Sequence, residues 1–383
     1  MANTVEKFNT IAIGNIEKIN TIEGSDIENL NTLEFSAGSS LAAGTIKAIH
    51  ADEALLAWTV KLTATKAVMV WKEPAIYASV LTIDATNNTI TNTDRVQIGS
   101  DSLLTGLYAV AMNSTTVLVG YNDIGNGQKF TGIVFTVSGT SITVGSASVI
   151  AAVDMGAELV IAAMSSSHFV ALVKNDTNTA IDAYGGSISG TSITAGGRFE
   201  ASATTSETVE IQSLTSSKAV SVFAHTGSTF MRTVNLSGTT ASSGGSTATL
   251  DNTVHDANGS CGLTDTTMLY ASNTNKVWVI TEDGGSLSAG TPLTFGTMGS
   301  SSRGAINCAK ISATSAAIFF CGNGGPTVQL VTIDGTSVTL DGDPLVLIAS
   351  ASKMTSIQLL STGKLIAGFT IGNRAKASVI TVS

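Results

Sequence analysis

The stretch VSGTSITVG, Val137 to Gly145, returns with small changes along the chain: ISGTSITAG from Ile188, LSGTTASSG from Leu236 and IDGTSVTLD from Ile333. Looser copies are GSSLAAG from Gly38, GGSLSAG from Gly284 and NNTITNT from Asn87, where that first Asn takes the glycine position. The glycine positions fall at 38, 87, 139, 190, 238, 284 and 335, at intervals of 49, 52, 51, 48, 46 and 51 residues. A fixed period near fifty marks one repeat assembly, where 383 residues would otherwise suggest two or three domains.

Each repeat parses into four short strands. In the clearest copy LTGLYAVAM (104–112), TVLVGYN (116–122) and FTGIVFTV (130–137) are apolar runs separated by NST and by DIGNGQK, and SITVGSASVI (141–150) closes the unit. Such spacing describes an antiparallel meander. The recurring Gly-Thr falls between third and fourth strands, where a tight hairpin needs positive φ, which Gly or Asn adopts at little cost. A phosphate cradle would need a helix after the glycines, and none is expected there.

Four-stranded sheets repeated around an axis make a β-propeller, which protects its strand edges by closing radially. The last repeat reaches Ser383 after only three strands, TSIQLLS, KLIAGFT and ASVITVS. The missing strand lies at the other end, where GSSLAAGTIKAI from Gly38 aligns without a gap with GTSITVGSASVI from Gly139. The expected fold is therefore all-β: a seven-bladed propeller of four-stranded blades over residues 37–383, closed by an N-terminal strand that completes the last blade. A β-solenoid, the rival architecture, would not need two complementary incomplete ends.

Composition agrees. Hydrophobic residues make up 43% and charged ones 12%, with 38 Gly and 4 Pro, which favours strands over helices. Mean hydropathy is +0.32, yet no apolar run approaches the roughly 18–20 residues of a membrane helix, so no membrane insertion is expected. The opening MANTVEKFNT has no secretory signal pattern, which points to synthesis in the cytoplasm. A net charge of −9 without a basic stripe argues against a nucleic-acid partner. Cys261, Cys308 and Cys321 lack metal-ligand spacing and read as small core thiols.

Residues 1–36 follow a different rule. Asn-Thr or Asn-Leu-Asn-Thr steps place Asn at 9, 20 and 31, a period of 11, and apolar residues fall at 5, 8, 11, 16, 19, 22, 27, 30 and 33. At 100° per residue these positions share an arc of about 160°. The period suits a right-handed hendecad helix, but Gly14, Gly24 and the many Ile and Asn are poor helix formers, so a short-turn solenoid-like or mixed segment is preferred. With a complete propeller downstream, the leader reads as an attachment or oligomerisation segment whose anchoring side chains are Ile11, Ile16, Ile19, Ile22, Ile27 and Leu30. The plainer alternative is a leader packed on its own propeller.

The leader's IGNIEKINTI and DIENLNTL resemble the IEKING-type tandem segments of tailed-bacteriophage structural proteins. The repeats, with LTATKAVMVW, LTSSKAVSVF and TVSGTSITVG, resemble propeller-like repeats of phage tail-fibre and related bacterial proteins. Together they span nearly the whole chain. The resemblance implies a virion component made in the host cytoplasm and released by lysis, present in multiple copies, with other virion proteins as partners of the leader.

No catalytic or metal motif is visible. His50, His168, His225 and His255 fall in different repeats without ligand spacing, and there is no nucleophile elbow or EF-hand-like run. No enzyme activity, metal or cofactor is expected. In a propeller, the loops after second strands and after fourth strands share one face. That face collects most charges, including Glu73, Asp123, Asp176 and Arg303, which are the candidate partner-binding residues for a host protein or glycan. Solvation alone would also place charges there. Trp71, Tyr77, Tyr121 and Tyr184 lie near it, as stacking groups or as blade core. The alternative function is a carbohydrate-binding or glycan-hydrolysing propeller outside any virion.

Overall fold

A strand with one wet face alternates apolar and polar residues, but KAVMVWK (Lys66–Lys72) does not, and its five central residues are all buried. The second strands of other repeats, such as His168–Asn175, Lys218–His225, Ser315–Gly322 and Lys364–Ile371, behave alike. Such strands need cover on both faces. The computed structural model provides it by packing seven antiparallel sheets side by side as the blades of a β-propeller. It describes residues 39–50, 54, 56–99, 103–203, 208–225, 227–299, 305–350 and 352–383. The expectations for residues 1–36, and for Arg303, lie outside the described residues.

Each sheet runs from an inner strand at the axis through second and third strands to an outer strand. The inner strands are Ala57–Thr63, Leu103–Ala111, Met155–Ala163, Thr208–Ser213, Asn258–Gly262, Ile306–Lys310 and Ser352–Ser361, for blades 1 to 7. Five outer strands are broken in the middle, as in Ser141–Val144 and Ser148–Ala151, which both pair with Lys129–Ser138. The core is split accordingly into layers between neighbouring blades. Val68, Val70 and Ile76 of blade 1 meet Val117, Val119 and Phe135 of blade 2, while Ala317 and Phe319 of blade 6 meet Leu365 and Phe369 of blade 7. Among the described residues the only helical element is the 3₁₀ turn Ile124–Asn126.

Turn chemistry explains the repeated tripeptides. Between first and second strands, TAT, NST, SSS, TSS, TDT and SAT each use the side-chain oxygen of their first residue to accept the N–H two residues on. Thr63 accepts from Thr65 at 3.3 Å and Asn113 from Thr115 at 2.9 Å, and Ser165, Thr215, Thr264 and Ser312 follow suit. Between third and fourth strands, Ser138 pairs with Ser141 across Gly139-Thr140, with Gly139 at φ 61°. Positive φ at only the first of two loop residues is the II′ arrangement that matches strand twist. Gly190, Gly238 and Gly335 repeat it. In blade 1 the hairpin is longer: Asp84 pairs with Thr89, and the left-handed residue is Asn88 at φ 54°. The left-handed conformation therefore passes from Asn87, which aligns with the glycines, to Asn88, which precedes the fourth strand as the threonine does elsewhere, because Asp84 Oδ1 accepts the N–H groups of Thr86 and Asn87 and holds a four-residue loop.

The second glycine of VSGTSITVG has another reason. A Cβ on Gly145 would lie 2.5 Å from the Thr191 carbonyl oxygen, in the hairpin of the next blade. Gly196 faces the Thr239 carbonyl (1.7 Å), Gly290 that of Thr336 (2.1 Å), and Gly44, in the closing strand, that of Asn88 (2.3 Å). Each hairpin thus seats its loop carbonyl on the outer strand of the preceding blade, where a side chain would fill the space. Where Asp341 takes the place of glycine, its Oδ1 accepts the Ser39 N–H at 2.8 Å, so the same junction is made by a hydrogen bond.

Leu41–Ala43 and Lys47–Ala48 pair antiparallel with Arg374–Val382, completing blade 7 as expected from the sequence. Ser40 and Ser383 exchange N–H···O bonds of 2.7 and 3.0 Å, Gly44 donates to Val379 at 2.7 Å, and Ile49 donates to Ala375 at 3.0 Å.

Two outcomes follow. Gly139→Asn should shift the melting temperature little, since Asn accepts the left-handed conformation, whereas Gly196→Asn should destabilise by about 1–3 kcal/mol through overpacking against backbone; thermal denaturation of both variants checks this. A chain lacking residues 1–38 should melt as cooperatively as the full chain, and one lacking residues 1–50, with its last blade's edge bare, should lose that transition or aggregate.

Candidate functional site

An inner strand is a sheet edge, so its axis-side N–H and C=O groups lack a strand partner. Side chains from neighbouring blades supply several. Ser356 Oγ accepts the Thr59 N–H at 2.9 Å and Gln358 Oε1 that of Lys61 at 3.1 Å, across the junction of blades 7 and 1. Asn307 Oδ1 accepts from Ile357 at 3.4 Å, and Trp58 Nε1 donates to the Leu107 carbonyl at 2.6 Å. The strands so tied line an axial channel of ≈ 320 Å³, whose wall is contributed by all seven blades. Trp58 and Tyr108 stand side by side on that wall, ring centroids 4.4 Å apart and tilted by 46°.

One carboxylate belongs to this region. Glu210, on the inner strand of blade 4, is 7% exposed, and its Oε1 accepts the hydroxyl of the channel residue Ser260 at 2.7 Å. Among the described residues no Lys or Arg is ion-paired with it. Burial therefore raises its pKa to about 7, with the Ser260 hydroxyl only partly opposing. Its charge reaches Tyr108 of blade 2, Tyr270 and Cys261 of blade 5 and Cys308 of blade 6, all of which burial alone already pushes up. The carboxylate thus sits behind the channel wall, one hydrogen bond from its lining residue Ser260. Cys261, Cys308 and Cys321 are buried thiols.

The charged face is used largely for holding blades. Glu73 is 13% exposed and paired with Arg95 and, at 2.8 Å, with His50 Nε2, while Arg95 lies 4.5 Å over the Tyr77 ring. Asp123 Oδ2 accepts the Thr131 hydroxyl at 3.5 Å. Asp176, 45% exposed, pairs with Lys174 at 3.5 Å and donates its N–H to the Asp154 carbonyl. Asp251 of blade 4 meets Lys276 of blade 5 at 3.4 Å, and Arg232 of blade 4 donates to the Ala201 carbonyl of blade 3 at 2.9 Å. Asp182, fully buried, is held by Arg198 at 2.8 Å. Glu73, Asp123 and Asp176 thus stand in separate local networks. Trp71, Tyr121 and Tyr184 are blade core, and Tyr77 is half-buried under Arg95. Among the described residues no three His, Cys, Asp or Glu side chains converge as metal ligands would.

Sequence reasoning on the loops passed over Glu210. Its signal was available: a lone Glu in the apolar run VEIQSL, at a first-strand position that other repeats fill with Trp58 or Tyr108.

No protein-family model matches the chain, and no curated protein matches it. Among solved structures it is similar to the β-propeller domain of Cps50 (Swd1) from Myceliophteria thermophila, with a TM-score of 0.56 over 89% of this chain and all of that one. At 7% identity the likeness is one of fold.

Glu210 carries a pH dependence. Its folded pKa lies above the ordinary 4.5, so ionisation opposes folding, and its contribution is lost as pH rises from about 4.5 through 7. Glu210→Gln keeps an acceptor for Ser260 and should gain stability over the unmodified protein between pH 5 and 8, by on the order of 2–3 kcal/mol; urea denaturation at both pH values measures the difference.

Proposed function

We propose that the chain is a non-enzymatic structural protein of a tailed-bacteriophage particle, a tail fibre or spike, adaptor or surface decoration, in which residues 1–36 attach a rigid propeller to the particle. The observation that carries this reading is the division of labour along the chain. All seven sheets have their full set of strands within residues 39–383, so no blade requires a strand from the leader. The nine apolar positions that the 11-residue period sets out in residues 5–33 then serve another surface. Its IEKIN-type sequence and the tail-fibre-like repeats support a virion setting. The propeller, with charges on one face and hydroxyl turns on the other, serves as a presenting module that meets a protein or glycan through its charged face, where Asp176 stays open to solvent.

Full burial of an Ile side chain is worth roughly 1.5–3 kcal/mol. Replacing Ile16, Ile19, Ile27 and Leu30 together with Asp should therefore abolish docking while leaving the melting curve of the propeller unchanged. Particles assembled with this variant are expected to lack the protein by quantitative mass spectrometry. Incorporation at normal copy number would mean that a propeller face does the docking.

A further inference from the structure

We propose that the axial channel binds a small organic cation, an alkylammonium or quaternary ammonium group, with the Glu210 carboxylate as counter-ion and the Trp58 and Tyr108 rings as its aromatic wall. The inference is independent of the virion reading.

Three observations converge on this chemistry. Glu210 is more than nine-tenths buried just behind the channel wall, one oxygen takes a hydroxyl from the lining residue Ser260, and no basic side chain among the described residues is ion-paired with it. Leaving a carboxylate in that state is costly unless it stays protonated or a cation arrives. Next, Trp58 and Tyr108 line the same channel half-buried, and the negative faces of aromatic rings attract an ammonium group. Finally, the remaining polar lining is almost all amide and hydroxyl, including Gln212, Ser213 and Gln358, and Lys310 is its single basic member. That lining offers neutral acceptors to the N–H groups of an alkylammonium.

The same features separate this ligand from its rivals. A divalent metal requires several hard oxygen ligands with more than one negative charge, and Glu210 has no second carboxylate beside it in the network above. A neutral sugar would use the amides and rings but leave a buried carboxylate uncompensated. A ≈ 320 Å³ channel also exceeds what a bare monovalent ion needs. A molecule with net charge −9 draws cations towards its surface at long range.

The groups facing Glu210 leave it as the titrating partner between pH 6 and 8. Tyr108, Tyr270, Cys261 and Cys308 are pushed up by burial and stay neutral there, and the pKa of His255, 3.0 Å from the Tyr270 hydroxyl, is lowered by burial against the opposing pull of Asp251. The charge of Lys310 acts on Cys261, opposing the effect of burial there. Glu158, the buried carboxylate of the neighbouring inner strand, belongs to blade 3.

The test is calorimetric titration of the full chain with tetramethylammonium and methylammonium chlorides, at matched ionic strength, and with tert-butanol as a neutral probe of similar bulk. Binding of at least one cation is expected at pH 8, weakened about tenfold at pH 6 because only the ionised fraction of Glu210 is competent. Glu210→Gln, checked for cooperative melting, should lose it at both pH values, and tert-butanol should not bind. Absence of cation binding at pH 8 overturns the proposal, as do equal affinities at pH 6 and 8, retention by Glu210→Gln, or equal binding of tert-butanol. The pH series on the unmodified chain decides the matter even if the variant fails to fold.

Discussion

A ring of sheets has one seam, and everything else in this molecule depends on how that seam is closed. Blade 7 takes three strands from one end of the propeller and its outer strand from the other, so the two ends are held by the ladder that also pairs the otherwise bare third strand. Each ladder bond adds only about 0.5–1.5 kcal/mol net, but the alternative is an exposed strand of unpaired amides. The seam is sewn twice. Ser356 and Gln358 reach across the axis side to the amides of Thr59 and Lys61 while the outer ladder joins Gly44 to Val379.

Around the ring, neighbouring blades touch through three kinds of contact. Apolar layers between sheets provide most of the burial, and they explain why second strands are apolar without alternation. Glycine seats for the next hairpin's carbonyl set how closely outer strands approach. Ion pairs add to this at one junction: Lys218 pairs with Glu282 at 2.6 Å and Asp251 with Lys276, each spanning blades 4 and 5. A chain that is only 12% charged thus commits several charges to local pairs, Glu73 among them, while Asp176 stays open to solvent.

Much of the architecture was legible because turns and strand periods are local. The hairpin glycines, the hydroxyl tripeptides, the four strands per repeat and the complementary ends could all be read from VSGTSITVG and its neighbours. That the left-handed residue of blade 1 is Asn88 rather than Asn87 was not legible, since an aspartate at 84 capping two amides lengthens that loop, and such a capping bond leaves no mark in periodicity. The reason for the second glycine was not legible, because its neighbour lies about fifty residues away in the next blade. The site was the least legible of all. Glu210, Ser260, Tyr108 and Trp58 come from four repeats and meet only at an axis that exists once the ring has closed. Glu73 looked like a surface charge from its loop, and only the fold reveals that Arg95 and His50 occupy it.

Function in this account rests on a closed, self-sufficient ring: a leader can be spent on attachment, and a channel can exist, only if residues 39–50 belong to the propeller. Amide hydrogen exchange of the full chain, resolved by residue, tests that most directly. The amides of Gly44 and Ile49 should be protected to the same degree as those of Ile366 and Val379 in the blade they complete, because they exchange by the same global opening. If Gly44 and Ile49 exchange at the rate of an unstructured chain while Ile366 and Val379 remain protected, the ring is not closed by this strand and the account fails.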